Sequence, residues 1–197
     1  MNNRHKLPKA RGFTLIELLI TVSILGILSS ITMVNLSSTW TRSRLLATTR
    51  ELENWCNDQR RYAINNNLTC RISIDHKKKQ LVSSIDSGSG SEPCVDAASD
   101  PNAGVFDLAE RFGQGHEKLT LLSTPSTDPD HSDGGIRFSF RGFSQNHQLS
   151  SEGILELRLK HEDLQQQRCI RIISPIGMMR DGRADDQSSR CRYDKTY

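Results

Sequence analysis

Residues 13 to 34, FTLIELLITVSILGILSSITMV, constrain this chain more than any other stretch, because Glu17 is the only ionisable side chain among them. As a helix the run would be about 33 Å long at the usual rise per residue, against a bilayer hydrocarbon core of roughly 30 Å. A carboxylate in such a place costs about 3 kcal/mol even on lenient insertion scales, so Glu17 calls for a reason. In front of the run stand Arg4, Lys6, Lys9 and Arg11, and the first twelve residues contain no Asp or Glu. That basic flank stays on the cytoplasmic side, which sends everything after residue 34 across the membrane. A secretory signal peptide fits less well: the apolar stretch is longer than an ordinary signal core, and SSTWTRSRLLATTRELENW continues in helical register without a small-residue cleavage site.

The remainder is a water-facing chain. Mean hydropathy is −0.54 over 197 residues, which suits one modest domain and an appendage. The formal net charge of +3 is accounted for by the basic leader, so polyanion binding would need a local cluster. Five cysteines in an exported domain favour disulfides with one thiol left over.

From residue 35 to 65 the pattern turns amphipathic. Stepping 100° per residue places Leu45, Thr49, Leu52, Cys56 and Ala63 on one stripe, with Trp55 and Tyr62 at its edge. Asn65-Asn66-Asn67 is a stop, since Asn tolerates the left-handed conformation. The period then changes to two. Thr69 to Asp75 and Gln80 to Ile85 read as a hairpin tipped by His76-Lys77-Lys78-Lys79. Residues 86 to 104 and 123 to 135 read as loops, with a short helix and a strand between them. Ile136 to Phe143, Gly153 to His161 and Arg168 to Ser174 read as later strands, and the polar tail from Asp181 as loop. The expected fold class is α+β: a long amino-terminal helix, transmembrane over 13–34 and amphipathic over 35–65, packed on an antiparallel β-sheet head over 66–197.

Gly12-Phe13-Thr14-Leu15-Ile16-Glu17, with the leader Lys9-Ala10-Arg11 before it and the long helix after it, resembles the type IV pilin and type II secretion pseudopilin superfamily. The resemblance implies that residues 1–12 are a leader, cut between Gly12 and Phe13 by a prepilin peptidase that then methylates the new amino terminus. It also implies that Glu17 meets the freed amine of a neighbouring subunit during assembly, since a charge pair in low dielectric is strong and sensitive to position. IRFSFRGFS (136–144), ILELRL (154–159) and CIRIISPIGMMR (169–180) are similar to the late strands of GspH/FimT-type minor pilins, including a Ser-Pro-x-Gly turn at Ser174 to Gly177. The implied partners are other pilins through the helix, the lipid bilayer, the prepilin peptidase and an inner-membrane assembly platform. The implied location is the inner membrane, single-pass with the head in the periplasm, and then the fibre. Many pilins close a carboxyl-terminal loop by a disulfide, which makes Cys169 and Cys191 one candidate pair; Cys70 and Cys94 are another. Five cysteines permit many connectivities, and Cys56 reads equally as a buried thiol or a bridge member.

Some FimT-type minor pilins resemble DNA receptors, and Arg168 to Lys195 is the one local basic cluster. Its candidates for an arginine-bearing loop are Arg180, Arg183, Arg190 and Arg192, although Met178 stands where a first arginine would help. The plainer reading is a solvated tail whose arginines pair with Asp181, Asp185, Asp186 and Asp194. Lys77 to Lys79 read as a solubilising hairpin tip. Asp128, Asp130 and Asp133 have poor spacing for a calcium loop, so no metal or cofactor is assigned. The six histidines form no metal-binding spacing, and no nucleophile elbow or phosphate loop is present. A membrane-anchored periplasmic enzyme is therefore the least favoured class: it would leave the amino-terminal motif unexplained.

Overall fold

The computed structural model describes residues 12–86, 92–95, 103–124, 135–145, 154–185 and 191–193, with the side chains of 30–37 left aside. Helix α1 runs from Leu15 to Asn65. The chain divides into two compact units, the first ending at Trp40 and the second comprising Thr41–Tyr197.

In the first unit α1 is aliphatic on every side. Leu15, Ile16, Leu18, Ile20, Val22 and Leu25 are all more than half exposed. Three of its described hydroxyls turn inward: Thr21 Oγ1 donates to Leu18 O, Ser23 Oγ to Leu19 O and Ser29 Oγ to Leu25 O, at 2.7–2.9 Å. Each hydroxyl so bonded has its donor answered without water.

In the second unit the expected stripe is the buried face of α1. Leu45, Thr49, Leu52, Cys56 and Ala63 are buried, and Trp55 and Tyr62 pack half-buried at the margin. The helix stops at Asn65, and Asn67 takes a left-handed φ of 55°. Two five-stranded antiparallel sheets share this core. One has the order β3 (Val105–Asp107), β2 (Gln80–Ile85), β1 (Cys70–Asp75), β5 (Gly135–Phe138), β6 (Ser144–Gln145). The other has the order β10 (Arg192–Tyr193), β9 (Met178–Asp185), β8 (Gln166–Ile173), β7 (Ile154–His161), β4 (Leu119–Thr124). Ile72, Leu81 and Ile136 from the first sheet join Leu157, Leu159 and Ile170 from the second in one cluster with Leu45 and Leu52. The intervening helix α2 (Leu108–Phe112) is capped by Asp107, whose side chain accepts from Ala109 N and Glu110 N.

Three expectations need correction. The tail from Asp181 is not loop, because β9 runs through Asp185 and β10 pairs with it. Beyond Asp181 the buried residues of β9 are Gly182 and Ala184, too small to register as an apolar alternation. The segment 136–143 is not one strand: β5 ends at Phe138, and Gly142, at φ 76°, turns the chain into β6. Lys79 is not part of a free tip, since its Nζ donates to the carbonyls of His116 and Glu117 at 3.0 and 2.9 Å. Asp128, Asp130 and Asp133 lie outside the described residues, as do residues 1–11.

Arg60 joins helix to both sheets. Its Nε donates to Gly142 O at 2.7 Å, in the β5–β6 turn, and its Nη2 to Ile176 O at 3.1 Å, in the β8–β9 turn. Ser144 N donates to Pro175 O and Ser174 Oγ to Ser144 O, so the two turns are also bonded to each other.

Candidate functional site

The start of α1 is built by Thr14 and Glu17. Thr14 Oγ1 accepts from Glu17 N at 3.3 Å, while Glu17 Oε2 accepts from both Thr14 N and Thr14 Oγ1 at 3.2 Å. This reciprocal arrangement is a capping box, which satisfies amide donors that a helix start otherwise leaves open. Glu17 thus has a second task beside its charge, and Thr14 is a site residue the sequence reading passed over. The signal was present, a Thr three positions before a Glu at the head of an apolar run. Phe13, one residue earlier, is 82% exposed, and a side chain at Gly12 would meet nothing within 4 Å. The junction between them is sterically open.

The basic cluster near the carboxyl end is divided by the sheet. Arg180 and Arg183 both lie on strand β9 rather than on a loop, three residues apart and hence on opposite faces. Arg180 pairs across the sheet with Arg171, which in turn pairs with Glu156. Arg183 pairs with Arg168 on one side and Arg192 on the other, so these three form one row on the face that also carries the helix-packed leucines. Arg190 lies outside the described residues.

The opposite face holds a compact ionic group. Glu156, buried, accepts from Arg158 Nε and from Tyr193 Oη, both at 2.5 Å, and the Arg171 guanidinium lies 4.1 Å from the Tyr193 ring centroid. Burial first, and then the bond to Glu156, push the Tyr193 phenol well above its ordinary value. Cys169 and Cys191 are bridged beside this group, and Cys70 is bridged to Cys94 in the other sheet. Cys56 is a free, buried thiol pushed up to about 12 by desolvation and then by Glu53, so it is not a nucleophile. Among the described residues Glu156, Cys169 and Cys191 come close enough to ligate a metal, but both sulfurs are consumed by the disulfide.

The amino-terminal stretch, residues 7–33, matches the family model of the prokaryotic N-terminal methylation motif. The fold is similar to that of the minor pseudopilin EpsH from the type 2 secretion system of Vibrio cholerae, with a TM-score of 0.50 at 10% identity, covering 74% of this chain and 99% of that one. The chain thus joins a prokaryotic N-terminal methylation motif to a head with the fold of a minor pseudopilin. The type IV minor pilin FimU of Pseudomonas aeruginosa PAO1 gives a TM-score of 0.49 at 14% identity, covering 77% of this pilin-like chain and 94% of FimU. No curated protein sequence matches it. The methylation motif implies a membrane anchor. Among the described residues no helix meets the length and hydropathy of a membrane span; the fully described apolar part of α1 stops at Ser29.

Proposed function

We propose that this chain is a minor pilin or pseudopilin of the GspH/FimT type, a structural subunit of a type IV pilus or a type II secretion pseudopilus. Residues 1–12 are its leader, removed by prepilin peptidase between Gly12 and Phe13, with methylation of the new amine. Residues 13–34 hold it in the inner membrane as a single pass, residues 35–65 carry the helix into the periplasm, and residues 66–197 form the head there. An inner-membrane platform then moves it into the fibre, where it packs on other pilins through the helix. The observation that carries the reading is the coincidence, in one chain, of the methylation motif with a pseudopilin-like head.

In this scheme Glu17 is the registration device. The bonds described for its carboxylate go to Thr14 alone, so the helix start holds it in a fixed rotamer for a cation arriving from a neighbour. Mass analysis of the purified native protein is expected to find a chain beginning at methylated Phe13. Glu17→Gln is expected to be cleaved normally and to fail to enter fibres. A native chain still starting at Met1, or unimpaired incorporation of the Gln variant, overturns the proposal.

A second reading, DNA binding for uptake, draws on the row Arg168–Arg183–Arg192, because Arg183 and Arg192 are exposed on adjacent strands. Three aligned guanidinium groups would grip phosphates without reading sequence. Affinity for duplex DNA should then fall with salt, and Arg183→Ala should lessen the slope of log affinity against log salt by about 1. A slope unchanged by that substitution, or no binding at low salt, ends this reading.

A further inference from the structure

Trp40 sits in the polar stretch Ser37-Ser38-Thr39-Trp40-Thr41-Arg42, yet it is 61% exposed, more than any other large apolar side chain described beyond Leu28. The head uses the chain's other tryptophan: Trp55 packs on Phe106 with ring centroids 5.8 Å apart and donates its Nε1–H to Ala103 O at 2.7 Å. Trp40 takes no part in the core cluster. A large indole on a polar helix surface is costly in water and favourable where one end of the ring is apolar and the other wet.

The helix supplies such a place by its length. From Leu15 to Trp40 α1 is unbroken, and those residues rise about 38 Å. A bilayer with its headgroup layers is about 40–45 Å thick. If Leu15 enters at one boundary, Trp40 arrives in the headgroup layer of the other. The exposed Arg42 follows two residues later, where a long basic side chain reaches phosphate oxygens.

We infer that Trp40 is an interfacial anchor, its ring lying in the outer phospholipid headgroup layer and its N–H directed at lipid carbonyl or phosphate oxygens. Aromatic belts at membrane boundaries work in this way. The anchor fixes how deep the helix sits, and so holds Glu17 near the opposite boundary until the subunit is withdrawn. This inference rests on the membrane insertion proposed above.

The test uses the full chain carrying Trp55→Phe, so that Trp40 is the only tryptophan, in vesicles of phosphatidylethanolamine and phosphatidylglycerol. One set contains a lipid spin-labelled at the headgroup, another a lipid labelled deep in the acyl chain. Trp40 emission is expected to shift to the blue of its value in water and to be quenched more by the headgroup label than by the deep one. If the apolar segment resists protease and alkaline extraction while Trp40 emits as in water, unquenched by either label, or is quenched most by the deep label, the anchor is refuted and the membrane reading stands. Loss of protease protection and alkaline extraction of the chain would overturn both. Should Trp55→Phe fail to fold, the difference in emission between the wild-type chain and Trp40→Phe supplies the same measurement.

Discussion

Two side chains of α1 show how single residues set the balance of the head. Arg60 spends its guanidinium on two backbone carbonyls, one from the turn of each sheet. Arg60→Ala should lower the unfolding free energy of the detergent-solubilised chain by about 1–2 kcal/mol, since one part-buried and one exposed charge-assisted bond are lost. Denaturant titration reads this, and Arg60→Lys should restore only part of it because an ammonium lacks the planar fork. Glu53 works against the fold: desolvation first, then Asp181, raise its carboxyl above the ordinary range, with Arg50 partly offsetting them. Its folded value exceeds its unfolded one, so the charged form is the penalised one. Stability is therefore lowest above the raised value and recovers as pH falls through it toward the ordinary carboxylate range. Glu53→Gln should flatten that part of the stability–pH profile and gain up to about 1 kcal/mol at neutral pH, discounted for solvent screening. Neither role was visible in the sequence. A 3.6-residue period leaves Arg60 and Glu53 off the apolar stripe, but a period cannot say which carbonyls or carboxylates fold back onto that flank.

At the scale of elements, β9 and β10 depend on residues that carry little hydrophobic signal. A Cβ at Gly182 would stand 2.7 Å from Arg192 O and 2.7 Å from the Tyr193 ring, so this position must be bare for β10 to lie down. Gly182→Val is expected to displace β10, break the Tyr193–Glu156 bond and expose the Cys169–Cys191 bridge. Faster reduction of that bridge by a mild thiol, with the Cys70–Cys94 bridge reacting as before, would be the measurable result. The amphipathic stripe of α1 and the strands β1, β2, β7 and β8 were legible because buried leucines and isoleucines recur at a fixed period. The final hairpin was not. Its inner positions are Gly and Ala, and what buries them is a disulfide and a tyrosine reaching over from a strand of two residues. The same alternation separates Arg180 from Arg183, which proximity in sequence had joined.

For the molecule as a whole, the division at Trp40 assigns the two halves of α1 to different tasks. All the described α1 side chains in the core cluster come from Leu45 onward. A fragment beginning at Thr41 should therefore fold with both disulfides, and its unfolding free energy should match that of the full chain to within about 1 kcal/mol, as followed by circular dichroism in denaturant. A fragment that stays unfolded would show that the head draws on the apolar half. The apolar run of residues 13–34 with its lone acid and the motif at Gly12 to Glu17 stand openly in the sequence, whereas the bonded pair Thr14–Glu17 emerged only from geometry. The inward-turned hydroxyls of Thr21, Ser23 and Ser29 bear on the proposed passage from bilayer to fibre. Because those groups are already answered by their own backbone, the rod can exchange fatty acyl chains for the sides of sister rods with no new donor or acceptor to accommodate at these positions. Their share of the transfer free energy is then set by how closely aliphatic surfaces fit together.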